Sequence, residues 1–301
     1  MKILILAGGT SNERDVSLRS GQAVAEAMRE LRHDYTVCDP AESSFDIKAL
    51  TEGVDAVFIS LHGAGGEDGS IQAELEALGV PYTGSGSNAS KLCFDKDKYK
   101  KFLNEHDFTS VEGKLVSSLD LDDSIFKSPF VLKPFDGGSS LDTIIAREVN
   151  EQKMNDVKAL LNLYPKMLAE KLIVGNELTV GIFDDKALPV IEIIPPEGLE
   201  FDYENKYNGA TQELCPPLNI PEDVQAKAQD IAMKIHNLTN CKDMSRTDFM
   251  LDSNNQLYVL ETNTIPGHTS QSLLPKMLAA AGITFSEFVD RLIQLALVKQ
   301  C

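Results

Sequence analysis

The chain has 301 residues, 43% of them hydrophobic, and a formal net charge of −18 at pH 7. That apolar content suffices for a substantial core, or for two or three smaller ones. So acidic a surface repels nucleic-acid backbones and anionic membranes, which speaks against both as partners, while a locally basic site for a small anion stays compatible with it. No apolar run approaches the ~18 residues of a membrane span. The apolar stretch 2–7 is broken by Gly8-Gly9 and reads as a buried strand rather than a signal peptide. Five cysteines (Cys38, Cys93, Cys215, Cys241, Cys301) form no C-x-x-C pair, so free thiols in a reducing cytoplasm are expected.

Strand-like and helix-like patterns alternate from the start. Residues 2–7 form a continuous apolar run, as in a strand buried on both faces. Val24, Ala27, Met28 and Leu31 follow at helical spacing. Residues 55–61 form a second buried strand, ending at His62-Gly63. Ile71, Leu75 and Leu78 mark a helix that Gly79 stops, and Pro81-Tyr82 begins a short strand. This rhythm predicts a parallel sheet with its ligand side at the carboxyl ends of the strands.

The middle of the chain differs. A lysine-rich helix is predicted over 95–104, then strands at 129–133, 167–172 and 177–183, with a helix near 148–163. They read as a small α+β unit with an antiparallel sheet. Asp184-Asp185 is a turn, and 188–194 pairs with the strand before it. The stretch 195–217 is long for a structureless loop, and Phe201, Tyr203 and Tyr207 make it a lid candidate. Val224, Ala228, Ile231 and Ile235 define a further helix. Two strands, 246–251 and 256–261, flank a turn at 252–255, and Thr284-x-x-Glu287 caps a last helix. The chain divides on this reading into 1–93, 94–182 and 183–301.

Several residues could carry chemistry. Lys133-Pro134-Phe135-Asp136-Gly137-Gly138-Ser139-Ser140 follows a strand. Its glycines let backbone approach an anion, its hydroxyls donate, and its lysine supplies charge. An ordinary exposed hairpin loop is the plainer alternative, and no Walker A sequence is present. Asp248, Glu261 and Asn263 converge if their strands form a hairpin, and hard oxygen ligands of this kind suit Mg²⁺ on nucleotide phosphates. Apolar neighbours argue for burial over solvated surface acids. Arg246 shares the face of Asp248, where it could meet a developing oxyanion or simply pair with an acid. Glu170-Lys171-Leu172-Ile173 and Glu177 could read adenosine from a strand edge, or be charged edge gatekeepers. Glu13 follows the first strand, where ligands bind or where a helix takes an acidic first residue, and His62 ends the second.

These motifs together resemble the D-alanine–D-alanine ligases, in order and over residues 3 to about 285. The resemblance is carried by Gly8 to Leu18, by His62-Gly63-Ala64-Gly65-Gly66-Glu67-Asp68-Gly69 and by Pro81-Tyr82-Thr83-Gly84-Ser85 with Asp95-Lys96. It continues through Phe201-Asp202-Tyr203-Glu204-Asn205-Lys206-Tyr207, through Glu261-Thr262-Asn263-Thr264-Ile265-Pro266-Gly267 and through Ser272-Leu273-Leu274-Pro275. It implies an α/β, three-domain ATP-grasp fold: an N-terminal parallel-sheet domain, and two α+β domains clamping ATP. It implies a cytoplasmic homodimer that joins two D-alanines for peptidoglycan, with ATP, two Mg²⁺ (or Mn²⁺) and room for a monovalent cation.

The resemblance also assigns roles. Lys96, Lys133, Ser139 and Ser140 would contact ATP phosphates, and Lys206 the γ-phosphate under a closed lid. Glu170, Lys171, Leu172, Ile173 and Glu177 would hold adenosine, and Asp248, Glu261 and Asn263 the metals. Glu13, with Ser139 and Tyr207, would anchor the first substrate's ammonium group, with His62 nearby. Arg246 and the Gly267 N–H would stabilise the oxyanion, and Ser272 and Leu273 would bind the second carboxylate. Tyr207 favours a dipeptide, since depsipeptide-forming members tend to lack it. The alternatives are a ligase using D-serine or D-lactate as second substrate, or a weakly active nucleotide-binding homologue. A nicotinamide dehydrogenase is disfavoured by the absence of G-x-G-x-x-G. Two positions depart from the family pattern: Phe135 is bulky, and Leu141-Asp142 stands where a small apolar residue and glycine are usual. A carboxylate ~4 Å from a phosphate charge costs roughly 4 kcal/mol at an effective dielectric of 20, so Asp142 is expected to point away, or the loop to differ from the family's.

Overall fold

The computed structural model of the chain describes residues 1–138, 142–196 and 211–298. Near the N-terminus β1 (Lys2–Leu6), β2 (Asp34–Cys38) and β3 (Ala56–Ile59) form a parallel sheet in the order β2-β1-β3. β1 and β3 are the two apolar runs, and their residues from Ile3 to Leu6 and Ala56 to Ile59 are buried. β2 is the sheet's edge, largely accessible along Asp34-Tyr35-Thr36-Val37-Cys38. Without an apolar run it gave no strand signal in the sequence. The short strand expected at Pro81-Tyr82 is reduced to one parallel bridge between Val57 and Tyr82.

Helices α1 (Arg14–Glu30) and α3 (Ser70–Leu78) follow the predicted periodicity, and a short α2 (Ile47–Leu50) lies between them. α1 buries Val16, Ser20, Val24, Ala27 and Met28 at spacings of three and four. Val16, Val24 and Met28 each contribute ~1.5–3 kcal/mol when removed from water.

A second, antiparallel sheet has its own core. It contains β4 (Gly113–Val116), β5 (Phe130–Lys133), β6 (Ile144–Ala146) and β7 (Met167–Lys171), in the order β4-β7-β5-β6. α6 (Glu151–Leu163) covers it, packing Val157 and Leu161 against Phe130 and Leu132. Ahead of this sheet run α4 (Ser87–Phe94) and α5 (Lys96–Glu105). Between them Asp95 caps α5 by accepting from the Lys98 N–H at 3.1 Å.

The largest sheet collects β8 (Gly175–Phe183), β9 (Lys186–Ala187), β10 (Ile191–Ile194), β11 (Gln212–Leu214), β12 (Met244–Asp252) and β13 (Leu257–Asn263). The sequence grouped β8 with the middle unit, but it pairs with β12 from Phe183↔Met244 to Gly175↔Asp252. The physical reason is its apolar face. Leu178, Val180 and Ile182 share a core with Val224, Ala228, Ala232 and Ile235 of α7 (Glu222–Leu238). The chain closes with α8 (Leu273–Ala280) and α9 (Phe285–Val298). The expected capping box is present: the Thr284 N–H donates to Glu287 Oε2 at 2.8 Å, and the Glu287 N–H to Thr284 Oγ1 at 3.2 Å. α9 returns Phe288, Leu292 and Ile293 to the core that holds Leu4, Ile5 and Phe58, so the two ends of the chain share one core. Among the described residues no helix is long and apolar enough to cross a membrane.

The loop after β1 is fixed by one carboxylate. Asp39 Oδ1 accepts from the Gly9 and Ala41 N–H groups, both at 2.8 Å, and Oδ2 pairs with Arg14 at 2.6 Å. Gly8, at φ +98°, has no room for a side chain, since a Cβ there would lie 2.4 Å from the Asp39 carboxyl group. Partial burial pushes the Asp39 carboxyl up, but Arg14 and the two backbone donors outweigh it and hold it at about 2. A depressed carboxyl contributes stability above its unfolded value of about 3.9 and loses it as pH falls through the folded value. Asp39→Asn is therefore expected to lower stability at neutral pH by on the order of 2 kcal/mol. Melting temperatures of the two proteins should converge as pH falls from about 4 to about 2.

Candidate active site

Two adjoining cavities lie between the sheets. The larger, about 310 Å³, is lined by Lys133, Lys171, Leu172, Ile173, Glu177 and Asp248, with Glu170 at its floor. The smaller, about 110 Å³, is lined by Glu13, His62, Arg246, Asn263, Gly267, Ser272 and Leu273. Lys96, Gly137, Gly138 and Glu261 line both. The predicted phosphate loop thus stands at the junction, with the predicted nucleotide residues on one side and the predicted amino-acid residues on the other.

The start of α5 is tied to that loop. The Lys96 N–H donates to the Phe135 carbonyl at 2.8 Å, and Asp95 and Asp136 form an antiparallel bridge. Lys96 Nζ donates to the Gly137 carbonyl and lies 3.3 Å from Glu261 Oε2. One turn along α5, on the same face, Lys100 reaches Glu170 Oε1 at 2.5 Å. Lys133 pairs with Glu170 Oε2 at 2.7 Å. Glu170 is only 3% exposed, so its carboxylate serves the two lysines from beneath the cavity. Burial pushes that carboxyl up, yet Lys133 and Lys100 overcome it and hold it below its usual range. Burial pulls the Lys133 ammonium down, and Glu170 with Glu261 reverse this and raise it. Lys100 ends lowered, because its burial outweighs Glu170. Lys133 therefore stays charged where a phosphate would need it.

The strand edge expected to read adenosine is partly used within the protein. The Lys171 N–H donates to the Glu112 carbonyl at 2.9 Å and the Leu172 N–H to the Pro129 carbonyl at 3.0 Å. Lys171 Nζ pairs with Glu112 at 2.5 Å in an exposed contact. The N–H groups of Lys171 and Leu172 are thus already used, while both residues line the cavity together with Ile173.

The hairpin of β12 and β13 brings the predicted metal ligands together, as period-two reasoning expected. Asp248 stands opposite Glu261, and Arg246 opposite Asn263. A bulge follows, since Phe249 pairs with Val259 and leaves Leu260 unpaired. Adjacent Leu260 and Glu261 consequently both line the larger cavity, which strict alternation forbids. The oxygens are engaged as follows. Arg246 donates from Nε to Asp248 Oδ1 at 2.9 Å and from Nη2 to Oδ2 at 2.8 Å. Thr179 Oγ1 donates to Asp248 Oδ1 at 2.5 Å, and the Ile265 N–H to Asn263 Oδ1 at 2.8 Å. Burial opposes the guanidinium charge, but Asp248 more than offsets it and raises Arg246 above its ordinary range. Two carboxylates and an amide oxygen at one end of a hairpin form a hard, anionic donor set, and it fits a divalent cation.

On the other side Glu13 sits between two glycines. A Cβ on Gly63 would lie 2.8 Å, and one on Gly138 2.7 Å, from Glu13 Oε2. Glu13 thus lies between the loop after β3, where Gly63 has φ +72°, and the phosphate loop at Gly138. Ser20 Oγ accepts from the His268 N–H at 3.3 Å and also hydrogen-bonds His62 Nε2 at 2.9 Å. On the other side of the ring, His62 Nδ1 lies 3.5 Å from Glu67 Oε1. Gly267 lies against Ser272, where a Cβ would come 2.5 Å from the hydroxyl. Ser272 Oγ accepts from the Thr269 N–H at 3.2 Å, and Leu273 opens α8.

Ser139, Ser140, Leu141, Lys206 and Tyr207, with Phe201 and Tyr203 of the lid candidate, lie outside the described residues. Asp142, by contrast, is described. It has φ +52°, lines neither cavity, and accepts a hydrogen bond from Tyr164 OH at the end of α6. The carboxylate that would have opposed a phosphate is thereby turned outward, as expected. Sequence reasoning missed Lys100, Glu67 and Thr179. Lys100 was visible as the residue four after Lys96 on one helix, and Glu67 within the quoted His62 motif. Thr179 gave no signal, because its position opposite Asp248 depends on β8 pairing with β12.

Comparison with known proteins agrees with this geometry. The family D-ala D-ala ligase C-terminus matches residues 98–294, and D-ala D-ala ligase N-terminus matches residues 40–85. The chain is 42% identical to the D-alanine–D-alanine ligase of Syntrophobacter fumaroxidans, over 99% of this chain and 98% of that one. It is 38% identical to that of Gluconobacter oxydans, over 99% and 100%. Among solved structures, D-alanine–D-alanine ligase from Bacillus anthracis superimposes with a TM-score of 0.86 at 30% identity, covering 100% of this chain and 98% of that one. The same enzyme complexed with ATP gives 0.84 at 28% identity, with the same coverage. The architecture is the α/β ATP-grasp fold anticipated from the resemblance.

Glu170→Gln leaves two buried lysines facing one another without the anion they share. Urea unfolding should show a loss of roughly 3–5 kcal/mol. Adding Lys100→Met to that variant should restore part of it, because one uncompensated charge is removed.

Proposed function

The chain belongs to the D-alanine–D-alanine ligase family, and on that premise we propose that it joins two D-alanines to D-alanyl-D-alanine at the expense of ATP. The observation that carries the reading is the junction, where Lys96, Gly137, Gly138 and Glu261 line both cavities. A nucleotide held on one side presents its γ-phosphate to a carboxylate held on the other.

Free carboxylates are poor electrophiles. In the proposed course a carboxylate oxygen of the first D-alanine attacks the γ-phosphorus, ADP leaves, and an acyl phosphate forms. The amine of the second D-alanine then attacks the carbonyl carbon, loses a proton, and expels phosphate. Glu13, with Ser139 and Tyr207, anchors the first ammonium group, and His62 borders it. Lys96, Lys133, Ser139, Ser140 and Lys206 hold the phosphates. Glu170, Lys171, Leu172, Ile173 and Glu177 form the adenosine side, with Glu170 acting through its lysines. Arg246 and the Gly267 N–H face the carbonyl oxygen as it becomes an oxyanion. Ser272 and Leu273, at the start of α8, take the second carboxylate. Two Mg²⁺ at Asp248, Glu261 and Asn263 would neutralise charge on the phosphates. Because acyl phosphates hydrolyse easily, the stretch 195–217 is read as the lid that keeps water out.

Three units along the chain, 1–93, 94–182 and 183–301, complete the proposal, with β8 joining the last two through its pairing with β12. The protein works in the cytoplasm as a homodimer and supplies dipeptide for peptidoglycan. With purified protein, ADP and phosphate should appear only when D-alanine is present, together with a dipeptide. Arg246→Met should lower kcat by ~10²-fold or more, as loss of an oxyanion donor does. A product containing D-serine or D-lactate formed in preference would assign a different second substrate. AMP and pyrophosphate, or ATP binding without turnover on any D-amino acid, would overturn the reading.

A further inference from the structure

Arg246 and Asp248 stand two residues apart on one face of β12, and each is needed elsewhere in the proposed reaction. Asp248 lines the nucleotide cavity and Arg246 the amino-acid cavity. Here they are joined by two hydrogen bonds, at 2.9 and 2.8 Å, in fork geometry. Thr179 donates a third to the same carboxylate at 2.5 Å. Both oxygens of Asp248 are therefore already taken by buried donors. A dication approaching this carboxylate meets a guanidinium fixed on the same atoms, and two positive groups on one carboxylate repel. The guanidinium, for its part, spends its Nε–H and one Nη2–H on Asp248, and those two of its five donors are withheld from the neighbouring cavity.

We propose that Arg246 holds the place of the divalent cation on Asp248, and that cation and nucleotide binding release its guanidinium into the amino-acid cavity. The inference rests on the metal reading given above and adds an order to it. The full donor set of the guanidinium becomes available to an oxyanion only once the metal and nucleotide are in place. Arg246 is then a coupling element between the two cavities, and coupling of this kind is reciprocal. Removing the guanidinium should make the metal bind better, although Arg246 is among the residues that hold Asp248 in position. Glu67, on the amino-acid side, acts electrostatically on Arg246 as well, and offers the released guanidinium an anionic neighbour.

The test uses the full chain and Mn²⁺ with ADP, following free Mn²⁺ by electron paramagnetic resonance. Wild type, Arg246→Met, Arg246→Lys and Asp248→Asn are compared, with thermal melts to establish folding. Arg246→Met is expected to bind Mn²⁺ about tenfold more tightly than wild type. Arg246→Lys should fall between them, because a lysine lacks the bidentate fork. Asp248→Asn should bind weakly. If Arg246 merely orients Asp248, both arginine variants bind Mn²⁺ more weakly. Unchanged or weaker binding in Arg246→Met overturns the exchange. Should that variant not fold, the same result in Arg246→Lys overturns it. If wild type with ADP binds no Mn²⁺, the metal reading fails and the exchange falls with it.

Discussion

Burying cations at the floor of a cleft before any phosphate arrives is the constraint on which this site depends. An unpaired buried charge costs several kcal/mol, so each cation must hold an anion while the cleft is empty. Lys100 and Lys133 share Glu170, Lys96 takes Glu261 and the Gly137 carbonyl, and Arg246 takes Asp248. These anions differ in burial. Glu170 lies beneath the cavity and is permanent structure, whereas Glu261 and Asp248 border it and are the proposed metal ligands. On the proposal above, ligand binding exchanges metal for guanidinium on Asp248 and phosphate for Glu261 on Lys96. The net charge of −18 does not conflict with an anion-binding cleft, because positive charge is concentrated where carboxylates can hold it.

The fold serves this arrangement by bringing three sheets to one junction. β1 delivers Glu13 through a loop pinned by Asp39. β5 delivers Lys133 and, just beyond it, Gly138 beside Glu13. β12 and β13 deliver Arg246, Asp248, Glu261 and Asn263 in one register. α5 binds the arrangement together, since the Lys96 backbone pairs with the loop after β5 while its side chain reaches β13. Packing of α9 on the N-terminal sheet fixes the first and last of these elements to a common core. Reacting groups held this way need little further ordering when substrates arrive.

How much of this could be read from the sequence varied with the kind of signal. β1 and β3 were legible because both faces are buried, and the β12–β13 hairpin because its strands are apolar and its turn holds Asp252 and Asn255. The convergence of Asp248, Glu261 and Asn263 followed from that pairing and a period of two. β2 and β6 were not legible, one a polar edge and the other three residues long. Neither was the bulge at Leu260, which depends on the partner strand. The fate of Glu170 was hidden for a similar reason: its motif placed it at a strand end, but only tertiary packing brings Lys100 beneath it. Asp142 stands out in the sequence as a carboxylate where the family usually has glycine, and the positive φ and the Tyr164 bond that turn it outward are local geometry that neither pattern nor charge encodes.

The central claim is that the two cavities pass a phosphoryl group from nucleotide to carboxylate across their shared junction. Its most direct test is isotopic. D-alanine carrying ¹⁸O in both carboxylate oxygens is turned over with unlabelled ATP, and the released phosphate is analysed by mass spectrometry. The account predicts one labelled oxygen in each phosphate, because the carboxylate oxygen that attacks phosphorus leaves with it. Phosphate without label, formed together with dipeptide, would contradict it.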